Sequence, residues 1–266
     1  MSIQTIKIGE IEYLAAEGIT VPHGFTTRFG GVSQGHLSAM NIGFHRGDDP
    51  QNVLKNYEIL GNAIGFDPKN CVLTKQTHTD IVRRVGKADC GTGIFRPEFD
   101  PCDGLITNDP GVALVVFTAD CTPILFFDPV TGAVGAAHAG WRGTAADIAG
   151  KTVRAMEDHF GSKPQDIRCA IGPNIGQCHF QTDADVPEAM IAALGDCAKA
   201  HIRKSGDKYY VDLKEINALF LRRAGVRHIE ISTECTACNP EKYWSHRLVG
   251  ANRGSQGAVI VRKEDE

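Results

Sequence analysis

The 266-residue sequence predicts an α+β fold of mixed β-sheets flanked by helices, which we expect to form a layered α/β/β/α sandwich. Short runs rich in Val, Ile and Phe, bounded by Gly, Pro and Asp, recur along the chain and are typical of buried strands. Strands outnumber helices and do not alternate with them strictly, which favours α+β over a doubly wound fold. No repeat or Pro/Ser-rich linker is visible, so we predict one domain over residues 1–266.

The first half of the chain is predicted to combine a loop, a helix and a series of short strands. Residues 24–49 contain six glycines, which allow positive φ and indicate a loop. Apolar residues at helical spacing follow Pro50, which suits a first turn, and Gly65 suits the C-terminal stop. Strands are then predicted at residues 72–74, 81–85, 103–107, 113–117, 124–127 and 133–137.

The second half is predicted to begin with a long helix from Thr144 to His159, with Gly161 as its stop. Apolar side chains at helical spacing define one buried face of this helix. The remaining helices are predicted at residues 187–194 and 213–224, and the remaining strands at 167–171, 229–232 and 258–261.

Composition excludes several classes of protein. The chain has 28 basic and 32 acidic residues, a net charge of -4 and a pI near 6.2, which argues against nucleic-acid or membrane-surface partners. The N-terminus lacks a signal-peptide pattern, and Asp120 and Pro123 break the most apolar run, Val112 to Phe127. Nine scattered cysteines favour reduced thiols or metal ligands over disulfides. We therefore expect a cytoplasmic protein, either a monomer or a small homo-oligomer.

Three segments place a polar, ligand-type residue at the end of a short apolar strand. They contribute His78, the pair Asp120 and Cys121, and His138. Cys121 is either a small buried core residue or a functional thiol at a polar break. His138 lies among alanines and glycine, which leave its ring open to a metal or ligand, whereas His78 alone is a weak signal.

The segment Gly140-Trp-Arg-Gly143 is predicted to open the long helix. Its free backbone N–H groups and the side chain of Arg142 are suited to an anion, although a glycine turn between strand and helix has the same pattern. The segment lacks the Lys-Ser/Thr ending of a phosphate-binding Walker loop.

Taken together, motifs spread in order over nearly the whole chain resemble one family, the YfiH-like, laccase-domain purine nucleoside phosphorylases. The most specific of them is Ala137-His-Ala-Gly-Trp-Arg-Gly143. The others are Arg28-Phe-Gly-Gly-Val-Ser33, Asn41-Ile-Gly43, Gly47-Asp-Asp-Pro50, Gln76-Thr-His78, Asp103-Gly-Leu-Ile-Thr107, Thr118-Ala-Asp-Cys121, Ile171-Gly-Pro173 with Cys178, and Cys235-Thr-Ala-Cys-Asn-Pro240.

The resemblance implies a zinc ion held by His78, Cys121 and His138. Three such ligands leave a fourth tetrahedral position open, as in catalytic zinc sites. The implied activities are phosphorolysis of adenosine, inosine, guanosine and methylthioadenosine, and deamination of adenosine, with nucleoside and phosphate as small-molecule partners. Asp120, beside the cysteine, is a candidate proton carrier or a residue that supports the ligands, and a turn residue on the alternative interpretation.

Four further residues are candidates for phosphate or ribose contacts. Arg142 is the strongest of them, and the others are Asn41, Arg28 and Arg46. The family's C-terminal Ser-Tyr/His-Arg-Arg stretch stands here as Ser245-His246-Arg247-Leu248, so its second arginine is missing.

Three other functions stay open. A single His-Cys-His copper site would fit a polyphenol oxidase, but none of the ten histidines forms the His-x-His pairs of multicopper sites. With Cys121 as nucleophile instead of ligand, the same site would suit an amidase that edits peptidoglycan precursors. A metal or interaction protein without catalysis is the third.

A second cysteine motif lies near the C-terminus. His228-Ile-Glu230 before Cys235-x-x-Cys238 superficially resembles a zinc deaminase signature, but Glu234 occupies the position of its Pro, so we interpret the match as coincidence. No thioredoxin-like βαβ pattern surrounds this Cys-x-x-Cys motif to support a redox role.

Overall fold

A computed structural model describes residues 2–262, and within them it confirms the α+β class. The strands are β1 Ile3–Ile8, β2 Ile11–Ala16, β3 His23–Thr26, β4 Cys71–Leu73, β5 Val82–Arg84, β6 Gly104–Thr107, β7 Ala113–Thr118, β8 Thr122–Phe127, β9 Val134–Ala139, β10 Arg168–Ile171, β11 Gln181–Thr182, β12 Ile202–Ser205, β13 Lys208–Val211, β14 His228–Ile231 and β15 Gln256–Val261. The α-helices are α1 Pro50–Ile64, α2 Trp141–Ala145, α3 Ile148–Phe160, α4 Asp185–Leu194, α5 Leu213–Arg223 and α6 His246–Val249. Short 3-10 turns lie at Gly35–Leu37, Phe44–Arg46, Pro68–Asn70, Lys87–Asp89 and Gly195–His201.

Two six-stranded sheets form the centre of the molecule. The first sheet has the order β1-β2-β3-β15-β7-β4, and the second has the order β14-β10-β8-β9-β6-β5. Both are mixed: β4 with β7, β5 with β6, and β10 with β14 pair in parallel, and the other neighbours are antiparallel. A small third sheet has the order β11-β13-β12.

The central strands of both large sheets are apolar on both faces, and alternate residues belong to different cores. In β8, Ile124 and Phe126 pack with the helices that cover the second sheet, whereas Leu125 and Phe127 pack between the two sheets. Because side chains alternate across a strand, a continuous apolar run fills two cores at once. The core between the sheets is the central layer of the sandwich.

Helices cover the outer faces and complete the layered α/β/β/α arrangement. On the first sheet, α1 packs through a buried stripe that includes Tyr57 and Leu60. On the second sheet, α3 and α5 pack through residues such as Met156 and Ile216. The start of α1 is as predicted, with Pro50 in its first turn and the side chain of Asp49 accepting a hydrogen bond from the next turn.

Two sequence predictions are wrong in this part of the fold. Residues 24–26, predicted as loop, belong to β3, and the preceding strands β1 and β2 were not predicted. The helix predicted over 144–159 is two helices, because Asp147 takes a left-handed φ of 61° and starts α3 as its N-cap. The short α2 therefore ends at Ala145.

We expect Asp147→Ala to lower the free energy of unfolding by about 2 kcal/mol, because the variant loses a helix cap and pays the left-handed backbone cost. The Asp147 carboxylate accepts a hydrogen bond from the backbone N–H of Gly150 at 2.9 Å and pairs with Arg154. Asp147→Gly is the control, since glycine adopts positive φ freely and should lose only part of this stability. Urea unfolding of both variants provides the comparison, and equal losses would contradict the backbone explanation.

No helix among residues 2–262 combines the length and apolar character needed to cross a membrane.

Candidate active site

The structure brings the three predicted ligands, His78, Cys121 and His138, together from three parts of the chain. His78 lies in the loop between β4 and β5, Cys121 lies in the connection that leads from the first sheet to the second, and His138 lies near the end of β9. In the second sheet β8 pairs with β9 so that Pro123 lies opposite His138. This register places the start of β8, and Cys121 before it, beside the end of β9.

The donor atoms of these three residues lie within 4.8 Å of one another. The Nε2 atom of His78 is 3.9 Å from the Sγ atom of Cys121, and the rings of His78 and His138 meet edge to face with centroids 5.1 Å apart. His138 is buried, Cys121 is partly exposed and His78 is exposed. The cluster is therefore open on the His78 side, where a further ligand can approach.

Asp103, which was not predicted as a site residue, accepts hydrogen bonds from two of the three predicted ligands. It lies just before β6, whose pairing with β9 brings it beside His138. Its Oδ1 atom accepts hydrogen bonds from Nδ1 of His138 at 2.7 Å and from the backbone N–H of His78 at 3.1 Å. Nδ1 of His138 is thus used, and its Nε2 atom is left for a metal or for the Cys121 thiol.

The other carboxylate oxygen of Asp103 holds the loop that carries His78. It accepts hydrogen bonds from the backbone N–H groups of Thr77 and Thr79 and from the Thr79 hydroxyl, at 3.2, 2.8 and 2.7 Å. Burial would raise the pKa of the Asp103 carboxyl, but hydrogen bonds from His138 and Thr79 lower it. The buried aspartate is therefore ionised and fully partnered.

The backbone around the cluster is strained in two places. His78 has a φ of 63° and Asp120 has a φ of 85°, which side chains other than glycine rarely adopt. Each such conformation destabilises the fold by about 1–3 kcal/mol, and it persists because contacts of the surrounding residues stabilise it. Gly140 is needed nearby, since a Cβ atom there would lie 2.5 Å from Cδ2 of His78 and 3.4 Å from the Cys121 sulfur.

The charges of the cluster favour a thiolate. Burial would raise the pKa of the Cys121 thiol, but the two neighbouring histidines lower it to about 6. Burial would lower the pKa of His138, but Cys121 and Asp103 raise it to about 9. A thiolate at neutral pH is the form that binds a metal or attacks a carbonyl.

A cavity of about 400 Å³ lies against this cluster, which is within the usual size for small-molecule sites. Its lining combines the two more open ligands with basic and aromatic side chains. The lining residues are His78, Ala119, Asp120, Cys121, Trp141, Arg142, Ile175, Phe180, Leu213, His246, Arg247 and Arg253.

Asp120 lines the cavity, but its carboxylate is committed to other loops. The Thr236 hydroxyl donates to Oδ1 at 2.6 Å, and the Ser245 hydroxyl and the Arg247 backbone N–H donate to Oδ2 at 3.1 and 2.6 Å. These bonds tie the loop of Cys121 to the C-terminal wall of the cavity. They support a positioning role, and the proton-transfer role of Asp120 stays a prediction.

Arg142 also lines the cavity, where its exposed guanidinium lies 4.2 Å from the centre of the Trp141 ring. The prediction that Arg142 lies at the start of a long helix is wrong. The segment 140–143 opens the five-residue helix α2 instead of a long helix, so its end carries little dipole for an anion. Any anion at this wall would depend on the arginine charge itself.

The remaining predicted substrate residues lie outside the lining of this cavity. Asn41 is buried, and its amide contacts Asp48, Gly43 and the backbone of Ser255. Arg28 stacks 3.8 Å from the centre of the Trp244 ring. Arg46 donates to the Ser255 hydroxyl and lines a neighbouring smaller cavity. Contacts of these three side chains with substrate stay predictions.

The C-terminal segment supplies cavity residues that sequence reasoning did not select. Arg247 donates to the backbone carbonyls of His179 and Gln181, and Arg253 lies beside His246 with an Nε–Nδ1 distance of 3.4 Å. Burial and the nearby Arg46 guanidinium lower the pKa of Arg253 to about 10. The stretch Ser245-His246-Arg247-Leu248 was the sequence signal that could have indicated Arg247. The second arginine of this segment in the cavity, Arg253, lies six residues after Arg247 and outside that stretch.

The fold and the cavity together define a layered α+β protein with a candidate metal centre. Residues 22–263 match the family model described as multi-copper polyphenol oxidoreductase laccase, and the chain belongs to this family.

Individual relatives agree with this assignment. The chain is 39% identical over 247 residues to a Geobacillus stearothermophilus protein named purine nucleoside phosphorylase YlmD. The alignment covers 91% of this chain and 90% of the relative. It is 34% identical over 223 residues to purine nucleoside phosphorylase YfiH of Shigella flexneri. This alignment covers 84% of this chain and 86% of the relative. The crystal structure of hypothetical protein YfiH from Bacillus licheniformis matches with a TM-score of 0.92 at 33% identity. The match covers 98% of this chain and 99% of that structure. The predicted resemblance to YfiH-like proteins and the predicted fold class are confirmed.

Proposed function

We propose that the chain is a zinc-dependent purine nucleoside phosphorylase that also deaminates adenosine. The observation that carries this proposal is the cavity that His78 and Cys121 line together with Arg142 and Arg253. The names of the relatives indicate a nucleoside and phosphate as the substrates. The cavity is lined by aromatic side chains suited to a purine and by arginines suited to phosphate. Adenosine, inosine, guanosine and methylthioadenosine are the proposed substrates, and the cytoplasm is the proposed compartment.

The donor set fits zinc. One thiolate and two imidazoles match its preferred ligands, and three protein ligands would leave a fourth coordination position open. Bound zinc would supply a Lewis acid for a phosphate or water oxygen. The same donors also bind copper, so metal analysis of protein purified without added metal decides between them.

Phosphate is proposed to bind among the basic side chains that line the cavity. Phosphorolysis joins a phosphate oxygen to the ribose C1′ atom and breaks the bond from C1′ to the purine nitrogen, which keeps the electron pair. Arg142 and Arg253 are the charged donors suited to hold the anion there. Burial and the Arg46 guanidinium lower the pKa of Arg253. An anion bound beside Arg253 would raise this pKa again and so stabilise the charged guanidinium.

The purine is proposed to lie against the aromatic part of the lining. Trp141 and Phe180 line the cavity, and each ring has an arginine over one face: Arg142 over Trp141 and Arg247 over Phe180. Flat bases stack well on such surfaces. In this arrangement the aromatic side chains orient the base while the arginines hold the phosphate.

The test is product analysis with and without phosphate. We expect inosine and phosphate to give hypoxanthine and ribose 1-phosphate, and adenosine without phosphate to give inosine. A metal-loaded protein that releases no base from any of the four nucleosides in phosphate would overturn the phosphorylase proposal. Adenosine that stays intact without phosphate would overturn the deaminase part alone.

We expect Arg142→Ala to raise the KM for phosphate at least about 10-fold, and more than the KM for nucleoside, because the anion loses a charged donor. Initial rates with each substrate varied separately measure both constants. Arg203→Ala is the matched control, since Arg203 is an exposed arginine on β12 outside the cavity lining. Equal changes in both KM values would remove Arg142 from the phosphate site.

One observation favours a second candidate, an amidase acting on peptidoglycan precursors. Asp103, His138 and Cys121 are ordered as carboxylate, imidazole and thiol, which is the order of a nucleophilic triad. In this reaction the Cys121 sulfur would bond to the amide carbon, and the C–N bond would break as the leaving amine takes a proton from His138. Water would then hydrolyse the thioester and free the thiol. Release of an amino acid from a muropeptide precursor, measured beside nucleoside turnover, separates the two functions.

A further inference from the structure

A second group of metal-ligating side chains lies outside the candidate active site. Cys178 and His179 come from the segment between β10 and β11, and Cys235 and Cys238 follow β14. One donor atom from each of the four residues lies within 4.8 Å of the others. The Cys-x-x-Cys motif of the sequence is thus one half of a group whose other half lies far away in the chain.

The distances in this group are those of a tetrahedral site. Zinc bonds of the usual length give tetrahedral edges of about 3.8 Å between two sulfurs and about 3.6 Å between sulfur and nitrogen. The sulfurs of Cys178 and Cys238 are 3.6 Å apart. Nδ1 of His179 is 3.3, 3.4 and 3.7 Å from the sulfurs of Cys178, Cys238 and Cys235.

Hydrogen bonding alone does not account for this arrangement. A neutral imidazole carries at most one proton on Nδ1, so this atom cannot donate to three sulfurs at once. A metal ion at the centre of the four atoms would satisfy all of them together. The three thiols would each release a proton on binding, and no oxidant or reductant is required.

The surroundings support such an ion. The backbone N–H of Gly176 donates to the Cys235 sulfur at 3.1 Å, as is suited to a thiolate. Zinc with three thiolates and a neutral imidazole has a net charge of −1. The buried ammonium of Lys214, held by the backbone carbonyls of Ser232 and Glu234 at 2.7 Å each, provides a nearby positive charge.

We propose that Cys178, His179, Cys235 and Cys238 form a second, closed zinc site with a structural role. Four protein ligands leave no open position, which is the mark of a structural zinc site. The site would join the two loops that carry Ile175 and Phe180 on one side and Thr236 on the other. These loops line the cavity and hold Asp120, so the second zinc would fix one wall of the candidate active site.

Zinc counting by elemental analysis and native mass spectrometry tests the site on reduced protein purified without added metal. We expect two zinc ions per chain in the wild type and one in Cys238→Ser. His138→Ala should also keep one, held by the second site. Cys197→Ser is the matched control, because Cys197 is an exposed cysteine outside both groups and its variant should keep two.

Two further measurements keep the test independent of a folding failure. Cys238→His offers a replacement ligand and should bind the second zinc again. In the wild type, removal of zinc by a chelator should expose four additional thiols to alkylation, three from the second site and that of Cys121 from the cavity site. The proposal is overturned if the wild type holds no zinc, if Cys238→Ser keeps the wild-type number, or if the purified chain carries a disulfide from Cys178 to Cys238. None of these readouts depends on nucleoside turnover.

Discussion

Cys121→Ala will lose the metal of the cavity site and nucleoside turnover together, whereas Cys121→Asp will keep part of both. The alanine variant leaves two imidazoles and no anionic donor, while the aspartate variant keeps an anionic ligand that zinc accepts. We expect kcat/KM for adenosine and inosine to fall by at least about 10³-fold in Cys121→Ala, because Lewis-acid stabilisation contributes several kcal/mol.

The experiment measures zinc content, turnover and the rate of thiol alkylation on the wild type and the two variants. Zinc content should fall by one equivalent in the alanine variant, and Cys197→Ala, at an exposed cysteine outside the cavity, should change neither zinc nor turnover. If Cys121 were instead a nucleophile, both substitutions would abolish turnover while the metal persisted. An alanine variant that is inactive yet fully loaded with zinc would therefore reverse the assignment of Cys121 as ligand.

The sequence was most informative where strands are buried on both faces. The run Ile124 to Phe127 fills two cores, so its composition alone marks it as a strand. The edge strand β1 is different, because four of its six residues are exposed and polar residues interrupt the apolar ones. The third sheet was not predicted from the sequence for the same reason, since β12 is largely exposed.

The break in the predicted long helix shows a different limit. Apolar spacing continues from α2 into α3, so periodicity does not reveal the left-handed residue between them. Asp147 adopts this conformation because its side chain caps the next helix, and that choice depends on local hydrogen bonds. The extent of the chain as one domain over 1–266 stays a prediction, with residues 1 and 263–266 outside the described part.

The clustering of His78, Cys121 and His138 was predictable from the sequence, whereas most of the other cavity-lining residues were not. His78, Cys121 and His138 each follow or end an apolar strand, and strand pairing brings such positions together. Arg253 and Phe180 come from loops whose paths depend on long-range contacts, so no local pattern marks them. Asp103 could have been found from its place at the start of β6, beside the strand that carries His138.

Asp103→Asn will weaken metal binding at the cavity site and lower the stability of the fold at the same time. One carboxylate oxygen accepts from His138 and the His78 backbone, and the other accepts three hydrogen bonds from Thr77 and Thr79. An asparagine has only one acceptor oxygen, so its NH₂ group must face donors on one side. The variant cannot satisfy both ligands and the loop.

We expect the unfolding free energy of Asp103→Asn to fall by about 3 kcal/mol, since buried donors lose a charged acceptor. Zinc affinity of the cavity site should fall about 10- to 100-fold, as is typical when the residue that orients a ligating histidine is changed. Urea unfolding and competition with a chelator measure the two effects separately.

Asp109→Asn is the matched control for this substitution. Asp109 lies just beyond the other end of β6, is half-buried, and accepts a hydrogen bond from the backbone N–H of Lys87 at 2.8 Å. Its variant should lose less than about 1 kcal/mol and keep the zinc affinity unchanged. If Asp103→Asn were destabilised but bound zinc as tightly as the wild type, Asp103 would stabilise the loop without orienting His138, because only the orienting role connects this carboxylate to the metal.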